Sequence, residues 1–197
     1  LSALRIVTVD DEDPVLRNPA RPVRKVDRVV RQLMDDMVET MRRAPGVGLA
    51  AVQVGVDLRV IVVETPVDSE DDESPTRLHM LANPEIVWRD PNMVEGQEAC
   101  LSVPSLCGDV FRNAAVRVRG LNPAGRMVEV EASGWEARVF QHEIDHLDGH
   151  LFTDRVSSLD KLYRLHEERD GSLVRVSFAV DQAARDRAVP AECSEAR

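Results

Sequence analysis

The sequence predicts an α+β fold, a single domain of mostly antiparallel short strands set around one central helix. Three observations carry that expectation. Val116 and Val118 alternate with arginines, and Asn122-Pro123-Ala124-Gly125 then turns the chain into Val128 and Val130, which reads as a hairpin with one buried face. Helical periodicity is confined to two segments, around residues 27–43 and 133–149. The remaining strand-like runs are short and segregated from those helices, as in α+β proteins.

Taken in order, the first 26 residues are rich in proline and charge and read as an irregular lead-in wrapped on the domain. Asp27 is placed to cap a helix running to about Arg43, with Val30, Leu33, Met34, Met37, Val38 and Met41 at helical spacing and Pro45-Gly46 ending it. Its methionines read as core filler, since thioether chains pack irregular gaps. Residues 58–63 form an unbroken apolar run apart from Arg59 and read as a buried strand. Glu70 to Glu73 make an acidic loop tip, a solvated turn. A strand is expected at 78–88, then the hairpin. Ser133 and Glu136 have the spacing of a capping box, opening a helix that Gly149 closes. Val174, Val176, Phe178 and Val180 suggest a last strand, and 181–197 read as a loosely held polar tail.

Composition narrows the class. The 197 residues are 43% hydrophobic, enough to build a core. Thirty-five acids against 25 Lys plus Arg give a net charge of −10, the wrong sign for general nucleic-acid binding. No apolar stretch approaches the ~20 residues of a membrane span. Acids at Asp10, Asp11, Glu12 and Asp13 stand where a secretion signal would be apolar. Cys100, Cys107 and Cys193 are too few and too scattered for a disulfide framework, which suits a reducing compartment.

The second helix carries Gln141-His142-Glu143-Ile144-Asp145-His146. Histidines four apart share a helical face and can ligate one metal, with the intervening Glu near enough to handle a proton. A surface helix with two unrelated histidines is the alternative. At about 100° per residue, Ala137, Phe140, Ile144 and Leu147 form one apolar stripe, while His142 and His146 sit opposite it beside Trp135 and Val139. Two buried faces suit a central metal-binding helix with an apolar pocket beside the ion. A catalytic site takes a third protein ligand, for which Cys100 is the best candidate; a structural cysteine is the other reading. Cys107 and Cys193 read as structural, and His79, His150 and His166 as surface or hydrogen-bonded residues. The small residues of Gly46-Val47-Gly48-Leu49-Ala50-Ala51-Val52-Gln53 permit close backbone approach, by an extended peptide or simply in a tight turn after the first helix.

Three segments in this order resemble the peptide deformylase family: Gly46 to Ala51 with Gln53; Glu98-Ala99-Cys100-Leu101-Ser102; and Gln141 through Gly149. Asp13-Pro14-Val15-Leu16-Arg17 and Asn83-Pro84 add weaker likeness. The second segment departs from the family pattern, with Ala99 where the motif has Gly. The resemblance implies a deformylase-like catalytic domain over 1–165, followed by a C-terminal strand and polar tail over 166–197. It implies an iron-binding hydrolase of protein biosynthesis, removing the N-formyl group from formyl-methionine on nascent chains through hydroxide held on the metal. Fe(II) is the implied ion, with Zn, Ni or Co able to substitute. Cys100, His142 and His146 are then the metal ligands and Glu143 the acid/base. The Gln53 side chain and the Leu101 backbone N–H serve the oxyanion, while Val47, Gly48, Trp135 and Val139 meet the substrate. The setting implied is the bacterial cytoplasm, with transient ribosome proximity and no direct nucleic-acid or membrane binding. Two rivals stand beside this reading: a degenerate deformylase-like paralogue with weak activity or a binding role, and an endoprotease using another third ligand.

Overall fold

A computed structural model describes residues 2–67, 74–167 and 173–178. Helix α1 spans Arg28–Arg43, where the Asp27 carboxylate accepts hydrogen bonds from the Val29 and Val30 N–H groups, the cap expected from the sequence. Strands β1 (Gly48–Ala50), β2 (Val60–Pro66), β3 (Thr76–Arg89), β4 (Met93–Cys100), β5 (Val103–Asn113), β6 (Ala115–Leu121) and β7 (Met127–Ser133) follow. Helix α2 is Gly134–Leu147, and β8 (Leu162–Glu167) and β9 (Leu173–Ser177) complete the order. The strands make two sheets, β1-β2-β3-β6-β7 and β4-β5-β8-β9, with antiparallel pairing throughout the described ladders.

The run of apolar residues in β2 explains the packing of the first sheet. Successive strand residues face opposite sides, so Ile61 and Val63 join Phe140, Ile144 and Leu147 of α2, while Val60 and Val62 join Met34, Met37 and Met41 of α1. A sheet covered on both faces has no polar side to show, hence no alternation in β2. The α1 methionines are wholly buried in that second cluster, as core filler. The second sheet packs Val103, Val110 and Leu162 on Leu151 and Phe152, which follow α2 in the chain. Among the described residues no helix is long and apolar enough to cross a membrane.

The lead-in is wrapped on the domain as expected: Leu16, Ala20, Val23 and Val26 are buried. Asn83, with a left-handed backbone (φ 50°), clamps Val23 by accepting from its N–H at 2.7 Å and donating to its carbonyl at 2.8 Å. The β6–β7 hairpin turns through Gly125 at φ 72°. The expected strand at 58–63 begins two residues later and runs to Pro66; the one at 78–88 is longer at both ends. Beyond the turn that follows α1, Gly48–Ala50 is a strand at the edge of its sheet.

One expectation is corrected outright. Ser133 stands at the N-cap of α2, yet its side chain makes no capping bond. Glu136 does not reach back to it either. Its carboxylate pairs with His79 Nε2 at 3.0 Å and accepts from the Thr65 hydroxyl at 3.4 Å. Partners from neighbouring strands have displaced the local box. At the other end Gly149, at φ 79°, follows the last helical turn as anticipated. The acidic tip at 70–73, Val180, the tail at 181–197 and Cys193 lie outside the described residues.

Candidate active site

Helix α2 places His142 and His146 one turn apart on the side facing the second sheet, where both rings are buried. Cys100 comes from the last position of β4, delivered by the tight Leu101-Ser102 connection into β5. The ligand atoms of Cys100, His142 and His146 lie within 4.8 Å of one another. Cys100 Sγ is 3.2 Å from His146 Nε2. A third segment contributes Gln53, from the 3₁₀ turn Ala51–Val54 after β1. Its Oε1 accepts from the Ala50 N–H at 2.8 Å, which turns Nε2 toward Ser102 Oγ (3.2 Å) and Cys100 Sγ (3.5 Å).

Around these residues lies a buried polar network that the sequence did not reveal. Glu98 takes two hydrogen bonds from Arg112, at 2.8 and 2.9 Å, one from Arg138 at 2.9 Å, and pairs through Oε2 with His142 Nδ1 at 2.8 Å. Arg112 continues to Asp145 at 2.6 Å, and Asp145 to Arg155. Arg138 also donates to the carbonyls of Gly96, Val110 and Val94, tying α2 to the second sheet. Burial works against ionisation of Glu98, but Arg112 and His142 outweigh it and hold the carboxyl down to about 2. His142 is likewise penalised by burial, yet bonds to Cys100 and Glu98 raise it well above the ordinary histidine range. Burial, then the neighbouring His142 charge, depress His146. Burial pushes the Glu143 carboxyl up to about 7 against the opposing charge of His142.

A cavity of about 430 Å³ opens over this centre. It is lined by Val47, Gly48, Gln53, Cys100, Leu101, Trp135, Val139, His142 and Glu143, so the expected site residues meet there except His146, wholly buried behind them. Ala99 lines it too, extended in β4 opposite Cys107 and absent from the described residues with positive φ. At Gly48 the close approach is made by Glu143: a Cβ there would collide with its carboxylate. Among the described residues, two buried side-chain polar atoms have no hydrogen-bond partner, Glu143 Oε2 and His146 Nδ1. Cys107 is buried, His79 is paired with Glu136, and His150 and His166 are exposed, each consistent with its non-ligand reading.

The donor set fits a divalent transition ion. One sulfur and two imidazoles converge, and the Glu98 bond to Nδ1 leaves Nε2 as the atom of His142 that could ligate. Glu98, Arg112 and Arg138 escaped the sequence reading because their partners are distant in the chain; the one signal was the place of Glu98 at the head of the Cys100 segment.

Comparison with known proteins gives a consistent result. The family model described as polypeptide deformylase matches residues 3–162. A peptide deformylase of Symbiobacterium thermophilum is 48% identical over 162 residues, covering 82% of this chain and 71% of that protein. The crystal structure of peptide deformylase from Ehrlichia chaffeensis superposes with a TM-score of 0.75 at 36% identity, covering 94% of this chain and 97% of that one. The crystal structure from Thermotoga maritima gives 0.70 at 39% identity, covering 80% of this chain and all of the other.

Proposed function

Because the chain belongs to the polypeptide deformylase family, we infer that its reaction is hydrolysis of the N-formyl group of formyl-methionine at the start of newly made polypeptides, releasing formate. The observation that carries this reading is the pairing of three converging metal-ligand atoms with a buried, unpartnered carboxylate oxygen on Glu143, in one cavity. The two rivals are not favoured. The grouping of Cys100 with both histidines favours this reading over an endoprotease with another third ligand, and the gathering of Gln53, Leu101 and Glu143 around one cavity favours it over a degenerate paralogue.

Cys100, His142 and His146 would hold Fe(II), with Zn, Ni or Co as substitutes, the mixed sulfur and nitrogen set suiting ions of that softness. Such an ion supplies Lewis acidity toward the formyl oxygen and lowers the pKa of water at the site. Glu143 accepts the proton of the attacking water and returns it to the leaving amine, its Oε2 buried in the site without a hydrogen-bond partner. As the formyl carbon becomes tetrahedral, negative charge grows on its oxygen. Gln53 Nε2, oriented by the Ala50 N–H, and the Leu101 backbone N–H are the donors for that charge. Val139 and Trp135 give the methionine side chain apolar walls, and edge strand β1 with Val47 and Gly48 offers main-chain pairing to an extended peptide.

The substrate places the enzyme near the ribosome in the bacterial cytoplasm; acids and bases balance over 161–197 and the whole chain carries −10, so the sequence offers no basic tail for RNA. Incubating anaerobically prepared, iron-loaded protein with formyl-Met-Ala, acetyl-Met-Ala and casein tests the reading. Formate release with little action on the other two is expected; casein cleavage without formate release would overturn it.

A further inference from the structure

Charge is unevenly spread along this acidic chain. Residues 17–31 hold six of its 25 basic residues, Arg17, Arg21, Arg24, Lys25, Arg28 and Arg31, and one of its 35 acids, Asp27. Asp27 is already engaged as the cap of α1, accepting from the Val29 and Val30 N–H groups. Arg17 is paired with Asp154 and Arg21 with Asp57, and Arg31 donates to the Val26 carbonyl at 3.1 Å. Arg24, Lys25 and Arg28 are exposed, and among the described residues none of the three has an ion-pair partner.

The fold holds this cluster in place. Val23 and Val26 are buried on either side of Arg24 and Lys25, and Asn83 grips the Val23 main chain through both its N–H and its carbonyl. The β6–β7 turn closes against the same segment: a Cβ on Gly125 would sit 3.9 Å from that of Val26, which brings the backbone of the exposed Arg126 alongside. Arg28 and Arg31 lie in the first turn of α1, which carries no acid. Cations there oppose the helix dipole and cost stability, so their placement breaks a local rule that a bound anion would restore. The next acids on the helix, Asp35 and Asp36, come two turns beyond Arg28.

Arginine prevails in the cluster, and its guanidinium fork matches the oxygens of a phosphate. A membrane surface would ask for apolar side chains that insert beside the cations; here the exposed apolar bulk is Val29 and Met127, with no aromatic ring. Helix α1 also separates this surface from the cavity. Its 16 residues span about 24 Å, and the cavity-lining Pro45 and Gly46 follow its other end. A polyanion on the patch therefore leaves the cavity open to a peptide. Resting on the deformylase reading, which sets the enzyme beside the RNA-rich ribosome, we propose that Arg24, Lys25, Arg28, Arg31 and Arg126 bind the phosphate backbone of structured RNA, by charge and without regard to sequence. This departs from the expectation of no direct nucleic-acid binding. The net charge of −10 weighs against general affinity, while segregation of cations at one end of α1 supplies it locally.

The test uses the full-length protein, a fluorescent RNA duplex of about 20 base pairs, and phosphatidylcholine–phosphatidylserine vesicles. About four phosphate contacts predict a slope of about −3.6 for log affinity against log salt. Arg24→Glu/Arg28→Glu should weaken duplex binding about tenfold or more. Arg89→Glu/Arg117→Glu, the same charge change at the far end of the β3–β6 ladder, should weaken it less than about threefold. Both variants should keep kcat/KM for formyl-Met-Ala, since none of these residues lines the cavity. No duplex binding at low salt, or equal losses in the two variants, overturns the proposal, as does binding to the vesicles as strong as to the duplex. Should the patch variant fail to fold, the wild-type salt slope and Lys25→Gln, expected to lower affinity about threefold, decide instead. Absence of formate release from formyl-Met-Ala by the wild type would sink the deformylase reading, whereas the RNA titration reads the patch independently of it.

Discussion

Glu98 Oε2 lies 2.8 Å from His142 Nδ1, joining the residue two places before Cys100 to a histidine 44 positions further on. The bond fixes the ring so that Nε2 faces the other ligand atoms, and it gives the imidazole a negative neighbour that raises its basicity. The same carboxylate is ion-paired with Arg112 and Arg138, both buried, and Arg112 has a second acidic partner in Asp145. One side chain therefore orients His142 and ties α2 to the second sheet through two ion pairs.

Glu98→Gln should accordingly damage two properties together. Metal affinity should drop about 10- to 100-fold, the usual cost of losing an orienting partner. Stability should fall by about 3 kcal/mol, because two buried guanidinium groups lose a counter-charge. Metal titration and urea unfolding of the same preparation measure both. Unaltered affinity would show that the ring is held by packing alone.

If Gln53 Nε2 serves the developing oxyanion as proposed, Gln53→Ala removes that donor while leaving Cys100, His142 and His146 intact. A loss of 10²–10³ in kcat, about 3–4 kcal/mol, is expected, with little change in KM. A variant altered only in KM would place Gln53 in ground-state binding instead.

Ala99 is extended and carries no positive φ, so its methyl costs no backbone strain. Ala99→Gly should raise kcat/KM by less than about tenfold, or under ~1.4 kcal/mol, at unchanged metal content. A gain of several hundredfold would mean that the methyl blocks the substrate.

The Glu136 carboxyl is held below its ordinary range, chiefly by the hydrogen bond from His79, against the opposing effect of burial. A carboxyl depressed in the folded state adds stability that is full above its unfolded pKa of ~4.3 and lost as pH falls through the lower folded value. Glu136→Gln should thus cost about 1 kcal/mol near pH 7 and progressively less below pH 4.3. Urea unfolding of both proteins at pH 7, 5 and 3.5 checks the sign. A gap that widens on acidification would contradict it.

How far the sequence can be read depends on the range of each interaction. Asp27 and its helix, the β6–β7 hairpin and the shared face of His142 and His146 are set by neighbours within a turn or two, and each was legible. Cys100 needed the likeness of a whole motif, because its histidine partners are over 40 residues away in the sequence. Strands β4 and β5 gave little signal: Gly96, Gln97, Pro104 and Gly108 interrupt any alternation, and their stability comes from each other's ladder. Glu136 was misread for the same reason, since His79 and Thr65 outcompete its local partner. Leu165 could not be placed at all, as only the β5–β8 pairing brings it to the cavity.

We propose that Cys100, His142 and His146 hold one catalytic ion while Glu143 moves the proton. Titrating metal-free protein with Fe(II) under anaerobic conditions, reading bound iron and formate release from formyl-Met-Ala together, tests it most directly. Formate release should rise with occupancy and level off at about one iron per chain, and Glu143→Gln should bind the same iron with turnover reduced by about 10²–10⁴. Turnover that ignores iron occupancy, or a Glu143→Gln protein as active as the wild type, would contradict the account.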